Sequence, residues 1–405
     1  MTPDGDTAGL RVVVAPDKFK GSLTATEVAG IVAQTVRRHA PGATVIECPI
    51  ADGGDGTVDV ALRSGFTAVD AQVVGPLGGV TTTARYARSG RTAVIELAAA
   101  AGLGLIERPD DLTAASTSTY GVGLLVTHAL DRGADRIVLG LGGSATTDGG
   151  AGMVTALGGR LLDSRGGPLA RGGGALAELA VLDLADLDPR LQTVDLVLAC
   201  DVDNPLQGPD GAAAVYGPQK GAQSPATVAA LERGLRRWAD VVAAVTGRDL
   251  RGLAGCGAAG GTAFGGVAVL GGRIRSGFEM CLELSGLGEH LEDAELVIVG
   301  EGSLDSQSLR GKGPATLAAV AARRARRVVA LSGRCVLSDG QLRATGIDAA
   351  YALTDVEPDP RVCMSEAPRL VETVAARLAQ DWLRTRSDCA ADEFVTPGRS
   401  AGRSH

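Results

Sequence analysis

Apolar residues fall in short blocks separated by glycine- and aspartate-rich breaks, and the spacing within each block predicts its element. Val12–Ala15 is a continuous apolar run that stops at Pro16-Asp17, the pattern of a buried strand ending in a loop. Thr24-x-x-Glu27 reads as a capping box, and Val28, Ile31, Val32 and Val36 recur at helical spacing behind it. Thr44–Ile46 begins a second strand, which ends at the loop Ala51-Asp-Gly-Gly-Asp-Gly56. A helix then runs from Thr57 to about Arg63. The same rhythm returns late in the chain. Leu296–Val299 is a strand entering Gly300-Glu-Gly-Ser-Leu-Asp305, and a helix follows with Pro314 near its first position. Val328–Leu331 ends at Ser332-Gly333, Ala349–Leu353 ends at Thr354-Asp355, and a last helix spans about Ser365 to Leu383.

Neither terminal piece has enough strands to cover its own helices, so the two are expected to form one domain. That domain, residues 1–65 plus 285–386, is a doubly wound α/β parallel sheet interrupted by a large insertion, 66–284. The alternative is two successive domains divided near the middle. The insertion opens with alternating segments at Ala71–Val74, Thr81–Tyr86 and Ala93–Glu96, separated by glycine turns and expected to pair antiparallel. A helix (Gly121–Asp131) and strands at Arg136–Leu139 and Val194–Ala199 follow, which makes this a mixed α/β domain. Residues 387–405 are polar and aperiodic and read as a disordered tail.

Composition narrows the function. Hydrophobic residues make up 45% of the 405 positions but aromatics only 3%, so the cores must be aliphatic, as suits helices on a parallel sheet. A net charge of -8 argues against nucleic-acid binding. No run is long enough to span a bilayer, and the first residues lack the features of a secretory signal, so a cytoplasmic location is expected. The seven cysteines are scattered, with no C-x-x-C pair, and neither a disulfide framework nor a zinc site is expected. Of 39 basic residues only Lys18, Lys20, Lys220 and Lys312 are lysine, and all four lie in glycine-containing loops. A compact ammonium serves as a point charge against phosphate where a guanidinium does not.

In open α/β sheets ligands sit at the carboxyl ends of the strands. Those ends carry Asp17-Lys-Phe-Lys-Gly21, Asp52-Gly-Gly-Asp55, Glu301 to Lys312, and Ser332. Carboxylates, lysines and glycines together are what phosphoryl transfer requires: cations on the phosphates, acids for Mg²⁺, and backbone amides close to oxygen. Lys312, in Gly311-Lys-Gly-Pro314 before a helix, reads either as a phosphate ligand or as a solvated cap. The run Gly140-Leu-Gly-Gly-Ser-Ala-Thr-Thr-Asp-Gly-Gly-Ala-Gly152 is a second candidate anion loop. Asp201, Asp203 and Asn204 either bind metal or hydroxyls or form an Asx turn before Pro205. No histidine is placed to make a hydrolase triad.

These loops resemble the bacterial glycerate kinases of the two-domain class. The matching segments are APDKFKGSLTATEVA (15–29), PIADGGDGTVD (49–59), GLGGSATTDGGAGM (140–153), ACDVDNPLQGPDGAAAVYGPQKGA (199–222), GAAGGTAFGG (257–266) and GEGSLDSQSLRGKGP (300–314). The resemblance implies a flavodoxin-like domain with an inserted α/β domain, and transfer of the γ-phosphoryl group of ATP to D-glycerate with Mg²⁺, the 2-hydroxyl being favoured. Small molecules are then the partners, and a homodimer is admitted. Under that resemblance Asp52, Asp55, Lys312 and Asp201 are catalytic candidates. Lys18, Lys20, Gly142, Gly143, Ser144 and Lys220 bind substrate or phosphate, and Glu301 and Asp305 hold the metal. The sequence departs from the pattern at Thr147, where relatives often have Asn, and at Ser303, where Arg is common.

Overall fold

The computed structural model describes residues 9–51, 53–306, 308 and 314–383. Asp52, Lys312 and the tail from 387, named from the sequence, lie outside the described residues. Along the chain the strands are β1 (Arg11–Pro16), β2 (Thr44–Glu47), β3 (Thr67–Val74), β4 (Thr81–Ser89), β5 (Thr92–Glu96), β6 (Arg136–Gly140), β7 (Arg160–Leu162), β8 (Val181–Asp183), β9 (Asp195–Ala199), β10 (Arg273–Arg275), β11 (Leu296–Leu304), β12 (Val328–Cys335) and β13 (Ala349–Ala352). The chain divides into a terminal unit, Met1–Pro49 with Glu289–His405, and a central unit, Ile50–Gly288. The helix Thr57–Arg63 thus belongs to the central unit, not to the piece ending at 65. Val58 and Ala61 are buried against Val94, Val138 and Val197 of that unit's own strands.

In the terminal unit five parallel strands run in the order β2-β1-β11-β12-β13. Val12, Val14, Leu296, Ile298, Val329 and Leu331 share a core with helices Ala25–His39 and Ala367–Trp382. The alternate residues Val13, Val297, Val299, Val328 and Ala330 are buried as well. Burial at every position is why these strands read as unbroken apolar runs. The capping box forms as the sequence indicates: the Thr24 hydroxyl accepts from the Glu27 amide, and the Glu27 carboxylate accepts from the Thr24 amide at 2.8 Å. Two boundaries move. The last helix starts at Ala367 with Pro368 in its first turn, behind a separate short helix, Pro360–Ser365. More consequentially, β11 and β12 continue past their apolar runs, pairing Glu301 with Ser332, Ser303 with Arg334 and Leu304 with Cys335. The polar residues taken from sequence for a loop are therefore held in a ladder.

The central unit has a six-stranded mixed sheet in the order β10-β9-β6-β5-β4-β3. The pairs β3–β4 and β4–β5 are antiparallel, as their alternation predicts, and β5, β6, β9 and β10 are parallel. A separate two-stranded ribbon joins β7 and β8. The larger core includes Tyr86, Leu125, Ile137, Leu139, Trp238 and Phe264. Among the described residues no helix is long and apolar enough to cross a membrane.

Candidate active site

Each unit concentrates polar chemistry at the carboxyl edge of its parallel strands. In the terminal unit β1 leads into Asp17, whose amide donates to the Gly300 carbonyl at 2.8 Å, and the Asp17 carboxylate accepts from the Lys18 amide at 2.6 Å. Phe19, buried, anchors the following turn through paired backbone bonds with Leu23, and Lys20 is left exposed. Beside this turn lies Glu301. Its Oε1 is buried without a hydrogen-bond partner. Burial, reinforced by the neighbouring Asp17 and Asp305 charges and opposed by the Ser308 hydroxyl, pushes its carboxyl up to about 7. Asp305 accepts from the Ser303 hydroxyl at 3.3 Å, and Arg334 donates to the same hydroxyl at 3.2 Å. On the next strand Ser332 is fully buried, and its Oγ has no partner.

This edge brings together Lys18, Lys20, Glu301 and Asp305. It adds Asp17, Ser332 and Arg334, which were not among the candidates. Ser332 was visible as a strand end; its burial opposite Glu301 is a matter of register that only strand pairing reveals. Among the described residues no group of three or more His, Cys, Asp or Glu side chains is arranged to hold a metal ion.

The central unit builds its edge from glycine. Gly142 packs so closely on the loop before helix Thr57–Arg63 that an added Cβ would lie 2.2 Å from Gly54 Cα. Gly143 has φ +69°, and a Cβ there would meet Asp55 Oδ1 at 2.6 Å. The loop is fixed from its flank by Leu103 donating to the Gly143 carbonyl and Ala145 donating to the Ala101 carbonyl, both at 2.8 Å. Among the described residues the amides of Gly142, Gly143 and Ser144 donate to no acceptor. Three successive N–H groups without an acceptor on a partly exposed loop make it a candidate anion site.

Behind that loop the polar residues are buried. Lys220, 5% exposed, donates to the Thr146 carbonyl at 2.7 Å and to Ser144 Oγ at 3.4 Å. Burial pushes its ammonium down to about 7, partly opposed by Asp148. Asp148 accepts from the Thr119 amide (2.8 Å) and hydroxyl (2.9 Å) and from the Gly150 and Gly152 amides (both 3.2 Å); burial still raises its carboxyl. Thr147 Oγ1 is buried without a partner. The backing segment 257–266 turns through left-handed Ala259, Gly260 and Gly261, and the Gly260 carbonyl accepts from the Gly149 amide at 3.0 Å. Ala259 is strained at φ 52°, which this loop-to-loop bond fixes in place.

Two sequence candidates in this unit take other positions. Asp201 accepts from the Ser276 hydroxyl (2.7 Å) and from the Gly277 (3.1 Å) and Phe278 (3.0 Å) amides, so it caps the helix Gly277–Ser285. Lys220 lies beneath the loop, not on its open face. Glu96 was missed: at the end of β5 it accepts from the Gly56 (3.0 Å) and Val58 (2.8 Å) amides, and burial raises its carboxyl. An acid closing a predicted strand was the signal that could have found it.

A family model described as the glycerate kinase family matches residues 12–383. The chain belongs to the glycerate kinase family. It is 42% identical over 373 residues to a glycerate kinase of Halalkalibacterium halodurans, covering 91% of this chain and 97% of that one. It is also 42% identical over 348 residues to a glycerate 2-kinase of Escherichia coli K12, covering 85% and 90%. A solved structure described as a glycerate kinase 2 from Salmonella typhimurium LT2 matches with TM-score 0.78 and 40% identity, covering 92% of this chain and 98% of that one. As a member of the glycerate kinase family the chain is an enzyme.

Proposed function

We propose that this glycerate kinase family member transfers the γ-phosphoryl group of ATP to the 2-hydroxyl of D-glycerate, giving 2-phosphoglycerate. The observation that carries the reading is the row of three free amides, Gly142, Gly143 and Ser144, on a loop held rigid from its flank and from behind. The name of the Escherichia coli relative, a glycerate 2-kinase, supports the choice of hydroxyl. The strand order of the terminal unit, second-first-third-fourth-fifth, supports a flavodoxin-like domain, with the central unit as an insertion in it.

Mg²⁺ fits the terminal edge by the chemistry of its donors. Glu301 has an orphaned buried oxygen and lies among like charges, so a cation there removes a repulsion already present. One or two carboxylates completed by phosphate oxygens and water is how Mg²⁺ is commonly held, so a larger acidic cluster is not needed. Glu301 and Asp305 would hold it, and it would supply charge neutralisation on the phosphates. Lys18, Lys20 and Lys312 neutralise phosphate or the glycerate carboxylate. Asp52 and Asp55 position the attacking hydroxyl. Asp201, occupied as a cap, is assigned no catalytic step.

The test is phosphorus NMR of the product formed from ATP and D-glycerate. A 2-phosphoglycerate resonance is expected; 3-phosphoglycerate alone would overturn the regiochemistry, and no phosphorylated product would overturn the reaction.

A further inference from the structure

The glycine loop has two sides, and only the open one faces the proposed phosphate. On the covered side is a lysine with two acceptors on the loop itself. The Thr146 carbonyl accepts from Lys220 at 2.7 Å, and Ser144 Oγ at 3.4 Å. Ser144 Oγ is in turn 3.1 Å from Thr146 Oγ1 and accepts from the Thr146 amide at 3.1 Å, so the ammonium closes a small network across the bend. Lys220 is itself held: it ends the turn Pro218–Lys220, and the next residue, Gly221, packs against the backbone of Pro109 and Asp110 at the start of the helix Asp111–Ser116.

We propose that Lys220 is a positioning residue, which fixes from behind the curvature of Gly142–Ser144 and so aims their amides at a phosphate group of ATP. The assignment rests on reading this loop as a phosphate cradle. At 5% exposure Lys220 does not reach the open face, so it acts through Ser144 and Thr146 and does not touch the nucleotide. Burial lowers its ammonium to about 7, partly opposed by Asp148. Arginine would be too broad for a pocket fitted to one ammonium.

The experiment is steady-state ADP release with D-glycerate and Mg²⁺ for wild type, Lys220→Met and Lys220→Gln, with thermal melts of all three. Loss of the two Lys220 bonds to the loop should raise KM for ATP about tenfold or more in Lys220→Met. KM for D-glycerate should stay within about twofold, a split that mere loss of folded protein cannot produce. Lys220→Gln, which keeps a neutral donor, should fall between the two. Unchanged KM for ATP in Lys220→Met overturns the proposal, as does loss of a native melting transition in both variants, which would mark Lys220 as purely structural. A wild type that releases no ADP with D-glycerate defeats the reading of the site itself; an active wild type beside an unimpaired Lys220→Met defeats only the role of Lys220.

Discussion

In the terminal unit the carboxyl edge of the sheet presents side chains; in the central unit it presents backbone. Glu301, Asp305, Lys18 and Lys20 reach their positions because a ladder extension and a tight turn carry them there. Gly142, Gly143 and Ser144 offer amides; Lys220 and Asp148 are buried behind the loop, and the Asp55 carboxylate lies against Gly143. The contrast has a physical origin. A side chain of either sign can be moved by its rotamers, whereas a row of amides must be held by its surroundings to keep one geometry. A backbone site therefore needs a packed support, and a side-chain site needs mainly the right neighbours in register.

The largest expected effect breaks the backbone site. Gly142→Ala would drive a Cβ to 2.2 Å from Gly54 Cα, so the two loops must part. Turnover in the ADP-release assay should fall about a thousandfold, the scale of losing preorganised donors to a developing charge. Near-normal turnover would show that the close approach of the two loops is not needed.

The next prediction concerns the support. Lys220 loses its proton near 7 in the folded protein, against a reference of 10.5 for the unfolded chain. Between those values the unfolded state binds a proton that the folded state does not, so stability rises with pH across the window. Below about 7 both states are protonated, and the cost of the buried charge is fully present. The stability of wild type relative to Lys220→Met, from denaturant titrations, should thus increase from pH 7 to pH 9 by up to about 3 kcal/mol. Asp148 is the opposing charge that faces it, and it remains in both proteins. A flat difference would mean that Lys220 keeps its proton through the window.

Glu301→Gln tests the side-chain site. It removes a buried charge that has like-charged neighbours, so turnover and Mg²⁺ affinity should fall about a hundredfold while the melting temperature does not drop. A fall in stability with unchanged Mg²⁺ dependence would make Glu301 a structural residue. The smallest effect is expected for Asp201→Asn. Weakening its cap on the helix Gly277–Ser285 should cost about 1 kcal/mol with turnover nearly intact. Strongly reduced turnover at normal stability would return Asp201 to the catalytic set.

Much of this contrast was legible in the sequence, and the unread part has one cause. Val12–Ala15 and Val328–Leu331 read as buried strands because both of their faces are covered, and Thr24 with Glu27 read as a cap because that motif is local. Gly142 and Gly143 were legible because their glycine-rich loop directly follows the predicted strand Arg136–Leu139. The extension of β11 through Glu301–Leu304 was invisible, since those residues join a strand only through partners some thirty positions away on β12. Lys220 read as a loop lysine for the same reason. Its burial depends on Thr146, which lies 74 residues earlier in the chain. Glu96 is likewise fixed by the Gly56 and Val58 amides, about forty positions earlier, and Asp148 in part by Thr119, 29 positions earlier.

The amides of Gly142, Gly143 and Ser144 are the proposed phosphate site of the central unit. Hydrogen–deuterium exchange of peptides spanning 140–147, with and without saturating ATP analogue and Mg²⁺, reads them directly. Exchange across this segment should slow on nucleotide binding in the wild type, and much less so in Lys220→Met at the same nucleotide concentration. Unchanged exchange at 140–147 in a wild-type protein that binds nucleotide and turns over D-glycerate would contradict the account.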